Sequence, residues 1–193
     1  MRVFGIDPGS QRTGFGCIES DGRRHHLVVC GAVRAAAHDA FPLRLAAIYR
    51  ELSSRLRESS PDIVAIENLF HASNVRSALM LGHARGVAML AAVEAGLAVV
   101  EYTPAEVKRA VVGYGRAEKA QVQRMIKLLL GLAKAPSPHD AADALAVAIC
   151  HIHSGRELGS AKAEPYDRLS DGRTARLQPG LARSRTWRTY KPA

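Results

Sequence analysis

Val3-Phe4-Gly5-Ile6-Asp7-Pro8-Gly9-Ser10-Gln11-Arg12-Thr13-Gly14-Phe15-Gly16-Cys17-Ile18-Glu19 decides the architecture of this chain. Residues 3–7 are an apolar run that ends on an acid, and residues 14–19 are a second apolar run. The link between them is too short for a crossover, so the two strands run antiparallel as a hairpin. Gly9 permits a positive-φ turn after Pro8, and Ser10 or Thr13 offers a hydroxyl to a phosphate. The Asp21-Gly22 turn signal then introduces a third strand over residues 26–33.

Beyond this meander the pattern changes. Leu43, Leu45, Ala46, Ile48, Tyr49, Leu52 and Leu56 form a helical stripe over residues 42–56. Residues 63–67 are a fourth strand, again apolar and again ending in an acid, Glu67. Residues 74–95 read as a long Ala, Leu and Met helix, with Gly82 and Gly86 spaced to admit close packing of another element. Residues 97–102 are a fifth strand. Thr103-Pro104-Ala105-Glu106 is a helix start with Thr as N-cap, Pro at the first position and Glu at the third. Helices over residues 118–130 and 139–153 complete the pattern, separated by the breaker Pro136-Ser137-Pro138. The order β-β-β-α-β-α-β-α-α-α predicts an α/β fold: a mixed five-stranded sheet with helices on both faces.

The chain has 193 residues, which suits one domain with a tail and excludes a large multidomain enzyme. Lys and Arg number 27 against 18 Asp and Glu, a formal charge of +9 that favours a polyanionic partner. Residues 151–193 hold nine of those cations and four of the acids, with little apolar periodicity. Residues 1–155 are therefore expected to form the domain, and residues 156–193 a basic, disordered tail. The three cysteines, at 17, 30 and 150, share no metal-like spacing and fit a reducing compartment, with Cys17 and Cys150 as small core residues. The N-terminus reaches an acid by residue 7 without a signal-peptide apolar region, and no apolar run is long enough to span a membrane. The expected location is the cytoplasm, with no membrane partner.

Buried strands rarely end in acids without a reason. If the first and fourth strands are parallel, Asp7 and Glu67 emerge at the same sheet edge, where open α/β sheets place their sites. Asp140 and Asp143 are three residues apart on the last helix and share one of its faces. The alanines around them let that helix lie close to the sheet. Clustered carboxylates repel one another and suit hard divalent cations, Mg²⁺ or Mn²⁺. Two such ions about 4 Å apart clamp a phosphodiester. A structural reading of the helical pair also stands: Asp140 as the N-cap and Asp143 as a complement to the helix dipole.

Residues 105–134 carry seven Lys and Arg against two Glu. Lys108, Arg116 and Lys119 are among them, and backbone phosphates are their natural partners. Lys119 stands just inside a helix start, where a cation is unfavourable unless an anion offsets the dipole. Phe70, in a loop directly after Glu67, either packs under the following helix or wedges between bases.

Six collinear motifs resemble the RuvC family of bacterial crossover junction endodeoxyribonucleases, which resolve Holliday junctions. They are Gly5-Ile6-Asp7-Pro8-Gly9-Ser10 with Thr13-Gly14-Phe15-Gly16; Ala65-Ile66-Glu67-Asn68-Leu69-Phe70; Leu81-Gly82-His83-Ala84-Arg85-Gly86-Val87; Tyr102-Thr103-Pro104-Ala105-Glu106-Val107-Lys108; residues 112–122; and Asp140-Ala141-Ala142-Asp143-Ala144-Leu145-Ala146. The resemblance covers residues 1 to about 153. It implies an RNase H-like fold, a homodimer, and paired symmetric nicks across a four-way DNA junction that leave 5′-phosphate and 3′-hydroxyl ends. It implies that Asp7, Glu67, Asp140 and Asp143 are catalytic acids holding two Mg²⁺ or Mn²⁺ ions. Lys108 and Lys119 match lysines tied to DNA binding and catalysis, and Phe70 matches the aromatic that stacks into the opened junction centre. A branch-migration helicase complex is the implied protein partner.

Three other readings compete. One is an RNase H-like nuclease acting on hybrids or linear duplex, and another is a junction-binding protein without activity. The third is an actin-like phosphotransferase, whose first hairpin also holds phosphates. A chain of 193 residues is short for two such lobes, and it has no second phosphate hairpin.

Overall fold

The computed structural model describes residues 1–34, 38–68 and 74–155. The elements follow the expected order: β1 (Arg2–Asp7), β2 (Arg12–Ser20), β3 (His25–Arg34), α1 (Phe41–Ser59), β4 (Ile63–Glu67), α2 (Val75–Glu94), β5 (Val99–Tyr102), α3 (Pro104–Val112), α4 (Lys119–Leu129) and α5 (His139–His153). The strands lie side by side as β3-β2-β1-β4-β5. β2 is antiparallel to β1 and β3, whereas β1, β4 and β5 are parallel. This is the mixed sheet of an RNase H-like α/β fold.

The central strands are apolar on both faces because both faces are covered. On one side, Val3, Ile18, Ile63 and Ala65 meet Val107, Ile126, Leu145 and Ile149 from α3, α4 and α5. On the other, Phe4, Ile6, Phe15, Val64 and Ile66 meet Ile48, Leu52 and Leu56 of α1 and Ala84 and Ala88 of α2. The Phe4 and Phe15 rings stack with centroids 6.1 Å apart. Each such buried aliphatic side chain contributes about 1.5–3 kcal/mol. Cys17 and Cys150 are fully buried core residues, and burial pushes the Cys17 thiol up to about 11.

α5 positions the site. It lies against the backbones of β1 and β2, and the approach is possible because glycines stand beneath it. A Cβ on Gly5 would overlap the carbonyl of Ala144, and one on Gly14 would overlap the carbonyl of Asp140. Ala141, Ala142, Ala144, Ala146 and Ala148 are all buried in the same contact. Small residues on both sides bring the start of this helix down to the end of β1.

Several local expectations change. α5 begins at His139 with Pro138 at its N-cap, so Asp140 is the second helical residue and not the cap. The Pro136-Ser137-Pro138 breaker starts the helix two residues earlier than Asp140 as an N-cap would. Gly82 and Gly86 meet nothing within 4 Å among the described residues, so no described element of this chain uses the close approach they permit. β5 starts at Val99, two residues late, because Gly96 turns with φ 74° and the Leu97 amide donates back to the Ala92 carbonyl. Phe70 and residues 156–193 lie outside the described residues.

Candidate active site

Asp7 is the last residue of β1 and Glu67 the last of β4. The parallel register pairs Gly5 with Ala65 and Ile6 with Ile66, so the two acids leave the sheet as neighbours. Asp140 and Asp143 come to the same edge on the first turns of α5. Four carboxylates from three elements converge there, as the strand ends predict.

Their electrostatics shows how close the convergence is. The Asp7 carboxyl is held well above its ordinary range, first by burial, then by the charges of Glu67 and Asp143, a hydrogen bond with Glu67, and the charge of Asp140. Glu67 is also raised, by burial and then by Asp143, while its hydrogen bond with Asp7 and the cations Lys119 and Lys108 act against the rise. Like charges drawn together in a poorly hydrated place bind protons more tightly. The titrations of Asp7 and Glu67 are coupled, each carboxylate disfavouring the charge of the other.

Two cations flank the acids. Lys119 Nζ lies 2.6 Å from Asp143 Oδ2, and Arg12 Nη1 lies 3.9 Å from Asp140 Oδ2. Lys119 is the first residue of α4, whose N-cap amide, that of Glu118, donates to Gln121 Oε1 at 2.9 Å. Asp143 is the anion that offsets the dipole there. Partial burial disfavours the Lys119 charge, but the hydrogen bond with Asp143 and the fields of Asp143, Asp7 and Asp140 outweigh it and raise its pKa. Lys108 on α3 contributes to the field at Glu67. α3 is fixed by the predicted box: the Thr103 amide donates to Glu106 Oε2 at 2.8 Å, and the Glu106 amide donates to Thr103 Oγ1 at 3.3 Å. Arg116 is exposed in the link between α3 and α4 and has no ion pair with the acids among the described residues.

The β1–β2 loop differs from the phosphate cradle expected of it. Thr13 is fully buried; its Oγ1 donates to the Gly9 carbonyl at 2.9 Å and accepts from the Gly9 amide at 3.4 Å. The hydroxyl closes the loop and is not offered to a phosphate. Arg44 of α1, also buried, donates to the Ser10 carbonyl and lies over the Phe41 ring at 5.6 Å. Sequence reasoning passed over both Arg12 and Arg44. Arg12 sits inside the motif that carries Asp7, and Arg44 interrupts the apolar stripe of α1, which was its one visible signal.

The family model for crossover junction endodeoxyribonuclease RuvC matches residues 3–151. This chain belongs to the RuvC family. A RuvC from Koribacter versatilis is 58% identical over 159 residues, covering 82% of this chain and 96% of that protein. The solved Thermus thermophilus RuvC superposes with a TM-score of 0.75 at 34% identity, over 81% of this chain and 96% of that one. The same bacterium's RuvC in complex with a Holliday junction substrate gives 0.74 at 32% identity, with the same coverage. The matched region of RuvC holds all four acids, both lysines, Arg116 and the position of Phe70.

Proposed function

We propose that this chain is a structure-selective endodeoxyribonuclease that resolves four-way DNA junctions by paired symmetric nicks, hydrolysing phosphodiesters with divalent metal ions. One observation carries the reading: Asp7, Glu67, Asp140 and Asp143 meet at one sheet edge in a RuvC-family chain whose Thermus relative was solved with a Holliday junction substrate.

The donor set suits hard cations. It consists of carboxylate oxygens, and the Asp7 carboxyl is raised first by burial and then by three neighbouring acids, whose repulsion a divalent charge relieves. With Asp143 turned to Lys119 and Asp140 towards Arg12, no three His, Cys, Asp or Glu side chains among the described residues form a ready cage. Asp7, Glu67, Asp140 and Asp143 would hold the ions. Two Mg²⁺ or Mn²⁺ ions bound there supply Lewis-acid polarisation of the phosphate and charge for the attacking and leaving oxygens.

The chain's own residues do the rest. Asp7 and Glu67 hold cations as carboxylates, so metal binding competes with protons at both acids. Lys119 is kept beside the cluster by Asp143, ready for a non-bridging or leaving phosphate oxygen. Lys108 and Arg116 track backbone phosphates. Phe70 stacks in the opened junction centre. Cleavage leaves 5′-phosphate and 3′-hydroxyl ends, which a ligase seals.

A homodimer fits a substrate with twofold symmetry. The stripe Leu79, Gly82, Gly86 and Leu90 on α2 supports this: the leucines are 59% and 49% exposed, and the glycines are open. A branch-migration helicase complex is the proposed partner, in the cytoplasm.

The test is cleavage of a mobile four-way junction beside matched linear duplex, in Mg²⁺, Mn²⁺ and EDTA, with wild type and Asp7→Asn. Symmetric, ligatable nicks in the junction alone, absent in EDTA and in the variant, are expected. Equal cutting of linear duplex would make it a general nuclease, and binding without nicks a structural binder.

A further inference from the structure

Two histidines 128 residues apart meet at the end of α5 remote from the acids. His25 opens β3 and His153 closes α5. Their Nε2 atoms are 3.4 Å apart, with the rings tilted by 52°. Each ring is held by its other nitrogen. His153 Nδ1 lies 2.9 Å from the Ala110 carbonyl of α3, and His25 Nδ1 lies 2.9 Å from Ser20 Oγ.

The carbonyl partner fixes the tautomer of His153. A carbonyl only accepts, so His153 Nδ1 carries the proton and Nε2 presents a bare lone pair. Ser20 Oγ takes the Gly22 amide at 3.0 Å and has room to accept a proton from His25 Nδ1 as well. In that tautomer both Nε2 atoms present lone pairs 3.4 Å apart; in the other, His25 Nε2 donates to His153 Nε2. Imidazoles that bind metals are oriented in this way, through an oxygen on the second nitrogen.

We propose that His25 and His153 form a binding site for Zn²⁺, separate from the acidic centre. The spacing fits a tetrahedral ion. Two Zn–N bonds of 2.0–2.1 Å at a tetrahedral angle place their nitrogens roughly 3.4 Å apart. Neighbouring positions of a square-planar ion at similar bond lengths would need roughly 2.9 Å. No group of three His, Cys, Asp or Glu assembles among the described residues, so water completes the coordination. Borderline imidazole donors select a different class of ion from the hard carboxylate oxygens at the other end of α5. A bound zinc ties the edge strand β3 to the last turn of α5 and, through Ala110, to α3.

Crystals grown with Zn²⁺ and excess Mg²⁺, read by anomalous scattering at the zinc edge, test this directly. A peak between His25 Nε2 and His153 Nε2 is expected. Calorimetric titration of full-length wild type with Zn²⁺ in excess Mg²⁺ should find one more equivalent than in His25→Gln or His153→Gln. Both variants should keep wild-type junction cleavage in Mg²⁺. Zinc found only at the acidic cluster, or equal zinc equivalents in the three proteins, would overturn the proposal. If either variant fails to fold, the wild-type anomalous map alone decides.

Discussion

The carbonyl of Asp140 rests on Gly14, with no room for a Cβ between them. This contact sets the height of the α5 N-terminus above β2, and with it the place of two acids. Gly14→Ala should force the helix outward and cost about 1–3 kcal/mol of stability, as overpacking does. Cleavage should fall more than the folded fraction does, because Asp140 and Asp143 are displaced together. Urea unfolding beside single-turnover cleavage separates the two effects. Activity that merely tracks the folded fraction would show that the helix height does not matter.

Asp7 is the acid most burdened by its neighbours. Asp7→Asn should lower junction cleavage by about a thousandfold or more while leaving junction binding in place. Gel-shift affinity and single-turnover rates check both halves. A variant that still cuts at near wild-type rate would remove Asp7 from the centre.

The raised Asp7 also has a signature in stability. A carboxyl whose folded pKa lies above its ordinary value of 3.8 leaves the folded state holding more protons than the unfolded state between those two values. Stability in EDTA should therefore rise as pH falls through the raised value towards 3.8, and fall as pH climbs. The slope from one such proton is about 1.4 kcal/mol per pH unit at its steepest. Asp7→Asn should flatten that part of the profile and be more stable than wild type at neutral pH without metal. Thermal melts across pH 4–8 measure it.

Lys119 faces Asp143 at 2.6 Å. Lys119→Ala should slow cleavage by about 10–100-fold and lower the salt slope of junction binding by about 1. Lys119→Arg should recover the salt slope more fully than the rate. If Lys119→Ala changes neither quantity, the lysine serves only the helix terminus.

Gly82 and Gly86 meet nothing in the described chain. Changing both to Ala should raise monomer helix stability by about 0.5–1 kcal/mol at each site. If α2 forms the twofold contact, the added methyl groups should weaken the dimer. Light scattering across a dilution series reads the mass directly, and a dimer equally strong in the double variant would move the contact elsewhere.

What the sequence made legible was local. Apolar runs ending in Asp7 and Glu67, the short hairpin link and the Thr103–Glu106 capping signal carried strand order and the sheet edge. Ala141, Ala142 and Ala144 signalled a close-lying last helix. Side-chain pairing across long separations was not legible. Nothing in the spacing of Lys119 and Asp143, or of His25 and His153, announces a contact, because the crossing of α5 over the sheet creates both. Thr13 was misread because a hydroxyl in a glycine-rich loop has the same sequence signal whether it faces a phosphate or its own backbone. The glycine pair of α2 was legible as spacing, but spacing does not say which surface it meets. Arg44 shows the same limit: a cation within an apolar stripe is visible, and its carbonyl partner in another loop is not.

The position of α5 at the end of the described chain bears on a polypeptide still under synthesis. A nascent chain carries Asp7 and Glu67 from its first strands, but the other two carboxylates and the helix that seals one face of the sheet emerge only after residue 138. A truncated or half-made copy therefore holds only two of the four converging carboxylates.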